Sequence, residues 1–307
     1  MTDPIVTRDL TKTFGRRRGV VGVDLAVNEG EVFGFLGPNG AGKSTTIRLL
    51  LGLYRPTAGA VSVLGHRPVV DGVTVRARIG YLPGELTLHP RLTGREHIDW
   101  FTRARGLASN VYRDELVERF GAELDQPARA LSKGNRQKIG IVLAFMHRPE
   151  LLILDEPTSG LDPLLQDEFV RLLRETAAEG RTVFLSSHEL DEVQRVADRV
   201  AIIRDGRIVV VDSVAALRRS APRTVEFEFA RAVDSAAIAA LDGVRVLDDD
   251  GHRVRLGLSG PLAPLLRLVA ELEPVDMTAR AADLDELFLT YYRTDYRTDQ
   301  PDAEVSA

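Results

Sequence analysis

Eight consecutive residues carry the strongest chemical signal in the chain. Gly37, Pro38, Asn39, Gly40, Ala41, Gly42, Lys43 and Ser44 fill the pattern G-x-x-x-x-G-K-[ST] at every fixed position. Before them runs Val32 to Leu36, a short apolar stretch that reads as a buried strand. After them, from Lys43 to Leu53, the apolar Ile47, Leu50 and Leu51 recur at helical spacing. A strand, a glycine-rich turn and a helix form the context that gives this pattern its meaning. The glycines let backbone N–H groups curl around a polyphosphate, and the helix N-terminus adds partial positive charge. Lys43 is placed to pair with the outer phosphates, and the Ser44 hydroxyl to bind Mg²⁺. The ligand predicted is a nucleoside triphosphate.

A second site lies in Leu151-Leu152-Ile153-Leu154-Asp155-Glu156-Pro157. An apolar strand ending in an acid puts Asp155 at the C-terminal edge of a sheet, where it can hold a metal ion's water shell. Glu156 is then free to polarise an attacking water as general base. A solvated acidic turn after a strand has the same local sequence; the phosphate pattern upstream favours the chemical reading.

The elements that must position these residues alternate. Strands are expected at Leu151–Leu154, Thr182–Ser187, Val200–Ile203 and Ile208–Val211, with Asp205-Gly206 as a hairpin turn between the last two. Asp162 and Pro163 read as N-cap and first residue of a helix that Gly180 stops. Strands alternating with helices predict an α/β architecture with a largely parallel sheet. From about residue 86 to 130 helical patterns take over, and Thr93 and Glu96 have capping-box spacing, so a helical insertion is expected. Past Ala221-Pro222 the elements read βαββαβ and then a last helix, Leu284 to Tyr292, which suggests a small ferredoxin-like α+β domain. The expected organisation is 1–220, 223–293 and a polar tail over 294–307.

Four further segments make a family resemblance specific. Leu131-Ser132-Lys133-Gly134-Asn135-Arg136-Gln137 resembles the LSGGQ signature of ATP-binding cassette (ABC) ATPases, and Ser132 lies 23 residues before Asp155. Ser159-Gly160-Leu161-Asp162 resembles the family's D-loop, and His188 its switch histidine. Phe14 stands where the family often has an aromatic that stacks on adenine, although a core aromatic would fit the same position. The resemblance spans about residues 4–215, with the motifs in family order. It implies a P-loop NTPase cassette: a RecA-like core, an antiparallel β subdomain and the helical insertion. It also implies ATP and Mg²⁺ as ligands. Residues Phe14, Gly37 to Ser44 and Thr45 would contact nucleotide. Ser132, Gly134 and Asp162 would meet the nucleotide held by another chain, Ser44 and Asp155 would hold metal, and Glu156 and His188 would be catalytic. Because the family works as a head-to-tail pair, the resemblance implies a second ATPase subunit, as a homodimer.

Two departures narrow the resemblance. Family members commonly continue Y-x-P with glutamine, whereas Tyr81-Leu82-Pro83 is followed here by Gly84 and Glu85. Glu85 is either a replacement acting through a water or a solvated surface acid. The signature carries Lys133 for a glycine and Asn135 for a glutamine. Such variants resemble ATPases that serve ABC-2 class exporters, and Asp283-Leu284-Asp285-Glu286-Leu287-Phe288-Leu289 resembles the LEDVFL ending of drug-export members. A separately encoded membrane permease is therefore the expected partner, with the chain cytoplasmic and peripheral on the inner face of the membrane, touching it only through the permease. Two other functions fit less of the sequence. A soluble ABC protein working on ribosomes or DNA usually has two cassettes or a long coiled-coil insertion. A nucleotide-switched regulator that hydrolyses little would not need Asp155, Glu156 and His188 together.

Composition excludes several other chemistries. Without cysteine there are no disulfides, thiolate zinc sites or cysteine nucleophiles, and the six histidines are too scattered for a metal cluster. A net charge of −5 argues against general nucleic-acid binding. No apolar run approaches the roughly 18–20 residues of a membrane span, and the acidic start MTDPIVTRDL is not expected to be a signal peptide.

Overall fold

In the computed structural model, residues 3–15, 17–107, 111–220 and 223–280 are described. The strand that leads into the phosphate pattern, β3 (Val32–Leu36), follows two longer strands, β1 (Ile5–Phe14) and β2 (Arg17–Val27). Its five residues are buried throughout, as a strand covered on both faces must be. Next come α1 (Lys43–Leu50), β4 (Ala58–Val63), α2 (Gly72–Ala77) and β5 (Ile79–Leu82). The insertion supplies α3 (Gly94–Ala104) and α4 (Val111–Phe120), and α5 (Lys133–Phe145) returns the chain to the sheet. Then β6 (Leu151–Asp155), α6 (Pro163–Ala178), β7 (Thr182–Ser187), α7 (Leu190–Gln194), β8 (Arg199–Arg204) and β9 (Arg207–Ser213) complete the first unit.

The larger sheet has the order β5-β6-β7-β3-β8-β9, and β5 through β8 run parallel within it. The register aligns Leu36 with Ser187, Asp155 with Ser186 and Leu82 with Leu154. All the strand ends that carry candidate chemistry therefore open on one edge, where α/β sheets bind ligands. Beneath that edge Phe33 and Phe35 pack on Phe184 with ring centroids 6.0 and 5.3 Å apart. A smaller antiparallel sheet, β2-β1-β4, is the β subdomain that the family resemblance implies.

Local signals act where the sequence places them. Asp162 caps α6 by accepting from the Leu165 amide at 3.0 Å, and Gly180 ends the segment with φ 82°. Thr93 and Glu96 form the reciprocal capping box of α3. Asp205 and Gly206, both with positive φ, join β8 to β9. α1 is shorter than expected: it ends at Leu50 rather than Leu53, because Gly52 turns left-handed at φ 68°.

The chain divides into Met1–Asp212 and Ser213–Ala307. The break thus falls ahead of the expected Ala221-Pro222, where β9 leaves the larger sheet, and α8 (Val214–Ser220) belongs to the second unit. Ala221 and Pro222 lie outside the described residues. The second unit continues with β10 (Arg223–Phe229), α9 (Ala236–Ala239), β11 (Val244–Asp249), β12 (Arg253–Leu258), α10 (Leu262–Ala270) and β13 (Pro274–Arg280). Its antiparallel sheet has the order β11-β12-β10-β13, so β12 separates β10 from β11. Val225, Phe227 and Phe229 alternate along β10 and turn into a core shared with Leu256 and Leu265. The expected last helix, Leu284 to Tyr292, the Asp283–Leu289 segment and the 294–307 tail lie outside the described residues.

Candidate nucleotide site

The phosphate loop leaves β3 and closes on the start of α1. Gly42, the residue before α1, has φ 113°, a conformation that L side chains rarely adopt, and a Cβ there would lie 2.8 Å from Val20. Lys43 is 6% exposed, and its ammonium donates to the Gly37 carbonyl at 2.6 Å and lies 3.2 Å from Glu156 Oε1. The other Glu156 oxygen is 2.8 Å from His188 Nδ1. A carboxylate only accepts, so Nδ1 carries the proton of that bond. One carboxylate is thus held between a lysine from the loop and a histidine from the end of β7.

Asp155 is oriented by two hydroxyls. Ser44 Oγ donates to its Oδ2 at 3.1 Å and Ser186 Oγ to its Oδ1 at 2.5 Å. Ser44 and Asp155 offer hard oxygen donors side by side, a set that suits Mg²⁺ when water and phosphate oxygens fill the remaining positions. Among the described residues no cluster of three or more His, Asp or Glu forms an all-protein metal cage.

These groups line one open cleft of about 920 Å³. Pro38, Asn39, Gly40, Gly42 and Thr45 share its wall, and Phe14 stands at its margin. Phe14 is 41% exposed and meets Tyr54 edge-on at 5.4 Å, so it is a surface ring and not a core aromatic. Gly37 and Ala41 belong to the loop but do not line the cleft: Gly37 backs onto the Ile203 carbonyl, and Ala41 is buried. Gly84 and Glu85 both reach the cleft, Glu85 as an exposed side chain.

Ser132, Gly134 and Asp162 are not brought to that cleft. They border a separate hollow of about 450 Å³. Ser132 caps α5 through the Asn135 amide at 3.1 Å. Asn135, the departure from the signature glutamine, also borders this hollow, and its side chain binds both backbone groups of Glu123, at 2.8 and 2.7 Å.

Several supporting residues escape a linear reading. Ser186 is one; two serines closing the apolar run TVFLSS were its only signal. Glu192 is another: it accepts from Thr158 Oγ1 at 2.5 Å and from Ser187 Oγ at 2.7 Å, bracketing the segments that carry Glu156 and His188. Burial raises the Glu192 carboxyl above the ordinary glutamate range, against the opposing effect of the two hydroxyls. Two other histidines in the first unit have structural partners: the His147 ring bonds the Ile79 carbonyl, and His97 accepts from the His89 amide and bonds the Thr93 carbonyl.

A parallel sheet with a glycine-rich G-x-x-x-x-G-K-S loop after one strand and a paired Asp-Glu at the end of another defines a nucleoside-triphosphate-binding cassette of the P-loop class. The sequence pattern of the ABC transporter family matches residues 20–159. A bacitracin transport ATP-binding protein of Bacillus licheniformis is 37% identical over 231 residues, 74% of this chain and 76% of that protein. A daunorubicin resistance ATP-binding protein of Streptomyces coeruleorubidus is 35% identical over 306 residues, covering 94% of this chain and 96% of its own length. Among solved structures, an ATP-binding subunit of an ABC transporter superposes with a TM-score of 0.65 at 33% identity, over 70% of this chain and 92% of that one. The chain belongs to the ABC transporter family, as one of its ATP-binding ATPases.

Proposed function

We propose that this chain hydrolyses ATP to drive export through a separately encoded membrane permease of the ABC-2 class, working as a head-to-tail pair of identical subunits. The observation that carries this reading is the division of the motifs between two places. The phosphate loop, Asp155, Glu156 and His188 share one cleft, while Ser132, Gly134 and Asp162 border another hollow. A nucleotide in the first needs the second from a partner chain to be enclosed. Relatives named for bacitracin transport and daunorubicin resistance support export of an amphipathic antibiotic. No helix among the described residues is long and apolar enough to cross a membrane; the proposed place of the chain, on the inner face of the membrane and held there by the permease, follows from its role as the ATP-binding subunit of a transporter.

In this reading the adenine stacks on Phe14, and the loop amides, the α1 N-terminus and Lys43 hold the phosphates. Ser44 and Asp155 would hold Mg²⁺, which would supply positive charge against the phosphates. Glu156 accepts a proton from the water that attacks the γ-phosphorus as the bond to the bridging oxygen breaks. Its Nδ1–H bond from His188 fixes the direction in which it accepts. Arriving phosphates compete with Glu156 for Lys43, which frees one carboxylate oxygen for the water.

Lys43→Ala tests the reading. Phosphate release should fall by at least about a hundredfold, and binding of a fluorescent ATP analogue should be lost, because the phosphate charge loses its buried partner. Wild-type turnover in that variant would overturn it.

A further inference from the structure

The first turns of α5 present one face to the loop that follows Glu156. Lys133 and Gln137, one turn apart, both reach it. Lys133 Nζ donates to Ser159 Oγ at 2.8 Å, and Gln137 Nε2 donates to the Pro157 carbonyl at 2.6 Å. Between them Gly134 comes so close that a Cβ there would lie 2.7 Å from the Gly160 carbonyl oxygen. Gly160 is left-handed at φ 87°, and the Lys133 stem lies 3.2 Å from the place a Cβ would take on it. The loop is therefore pinned at Pro157, Ser159 and Gly160 by side chains or close contacts from one helix face.

What the loop holds is Glu156. This residue is left-handed at φ 48°, which a non-glycine residue keeps only when its surroundings enforce it. Its amide bonds the Ser186 carbonyl at 3.1 Å, and its own carbonyl accepts from the Ser159 amide at 3.2 Å. Ser159 is thus tied to Glu156 through its backbone and to Lys133 through its side chain. Lys133 and Ser159 also line the same cleft as Glu156 and His188. With Ser159 Oγ accepting from the ammonium, the hydroxyl proton is left to donate towards that cleft.

We propose that Lys133 is a positioning residue for hydrolysis: its ammonium holds Ser159, and through it the turn that fixes Glu156, so it governs turnover and not nucleotide affinity. The proposal rests on the reading of the cleft as the ATP site. The lysine that departs from the signature pattern then serves its own chain's catalytic glutamate. Gln137 is buried and supports the same loop structurally, whereas Lys133 is exposed and can be changed without opening the core.

The test compares the full-length wild-type chain with Lys133→Met, which keeps the stem over Gly160 but not the donor, and with Lys133→Arg, which restores a donor. Three quantities are measured: steady-state phosphate release, affinity for a fluorescent ATP analogue, and amide hydrogen exchange of residues 156–161 in the nucleotide-free chain. Lys133→Met should lower kcat about tenfold, the size expected for one hydrogen bond to a charged group, with affinity changed less than about twofold. Exchange at Ser159 and Gly160 should quicken, and Lys133→Arg should recover most of both effects. Unchanged kcat with unchanged exchange would overturn the proposal. So would a loss of affinity equal to the loss of kcat, since that would put Lys133 on the nucleotide itself. A wild-type chain that binds no analogue would overturn the reading of the cleft and with it the role in hydrolysis, while the exchange comparison reports on the tie alone.

Discussion

Gly84 shows how much a single missing side chain decides. A Cβ placed on it would lie 3.4 Å from the Asp155 carbonyl oxygen and 3.5 Å from the carboxylate carbon, which is ordinary contact. Its backbone does not need glycine. We expect Gly84→Gln to fold with stability within about 0.5 kcal/mol of wild type and to bind ATP as well, measured by thermal melting and analogue titration. A strongly destabilised variant would show that the loop is packed more tightly than the structure has it. At this scale the sequence is most legible where spacing along the chain is itself the signal. Lys43, Ser44, Asp155, Glu156 and His188 each sit at a fixed step from a strand end, and the fold brings them into one cleft. Ser186, Glu192 and Gln137 are illegible for the opposite reason. Their partners are neighbours across strands or helices, and no local pattern states which strand will lie alongside.

Elements were readable in proportion to how regular they are. Thr93-x-x-Glu96 and Asp162-Pro163 announce α3 and α6 because caps are local chemistry. β1 hides because its register with β2 shifts between Thr7 and Leu10, so two inward residues stand three apart and break the alternation a strand is recognised by. The junction of α5 with β5 offers a test at this scale. His147, just past the end of α5, donates from Nε2 to the Ile79 carbonyl at 3.1 Å, while its Nδ1 is buried with no partner among the described residues. Burial, with the charges of Arg105 and Arg181, brings its pKa down to about 4. The folded chain therefore keeps it neutral while the unfolded chain protonates it near the ordinary 6.5. Its contribution to stability is full above pH 6.5, declines as pH falls, and is gone below about 4. Urea unfolding at pH 7.5 and 4.5 should show wild type losing about 2 kcal/mol more than His147→Gln, which keeps a donor but does not titrate. Equal losses would contradict the assignment.

For the molecule as a whole, the cleft and the hollow beside Ser132 are separate, and in the proposed head-to-tail pair each chain supplies half of two sites. Glu156→Gln should bind ATP with Mg²⁺, hydrolyse it slowly and elute from size-exclusion at twice the chain mass; a strictly monomeric profile would count against the shared site. The sequence could indicate this division only through family resemblance, since nothing in Ser132 or Gly134 says which way α5 will face. The place of β3 in the sheet has another consequence, for synthesis. It lies between β7 and β8, and the Val32 amide bonds the Asp198 carboxylate 166 residues further along the chain. At ribosomal elongation rates that interval lasts on the order of ten seconds. Val32, Phe33, Phe35 and Leu36 leave the ribosome early and wait, unpaired, for neighbours that do not yet exist. Long-range pairing of this kind is slow to form and exposed to aggregation. The strand that carries the phosphate loop is thus among the first to be made and among the last to be enclosed, and a nascent chain stalled before Arg199 would present it to chaperones and proteases.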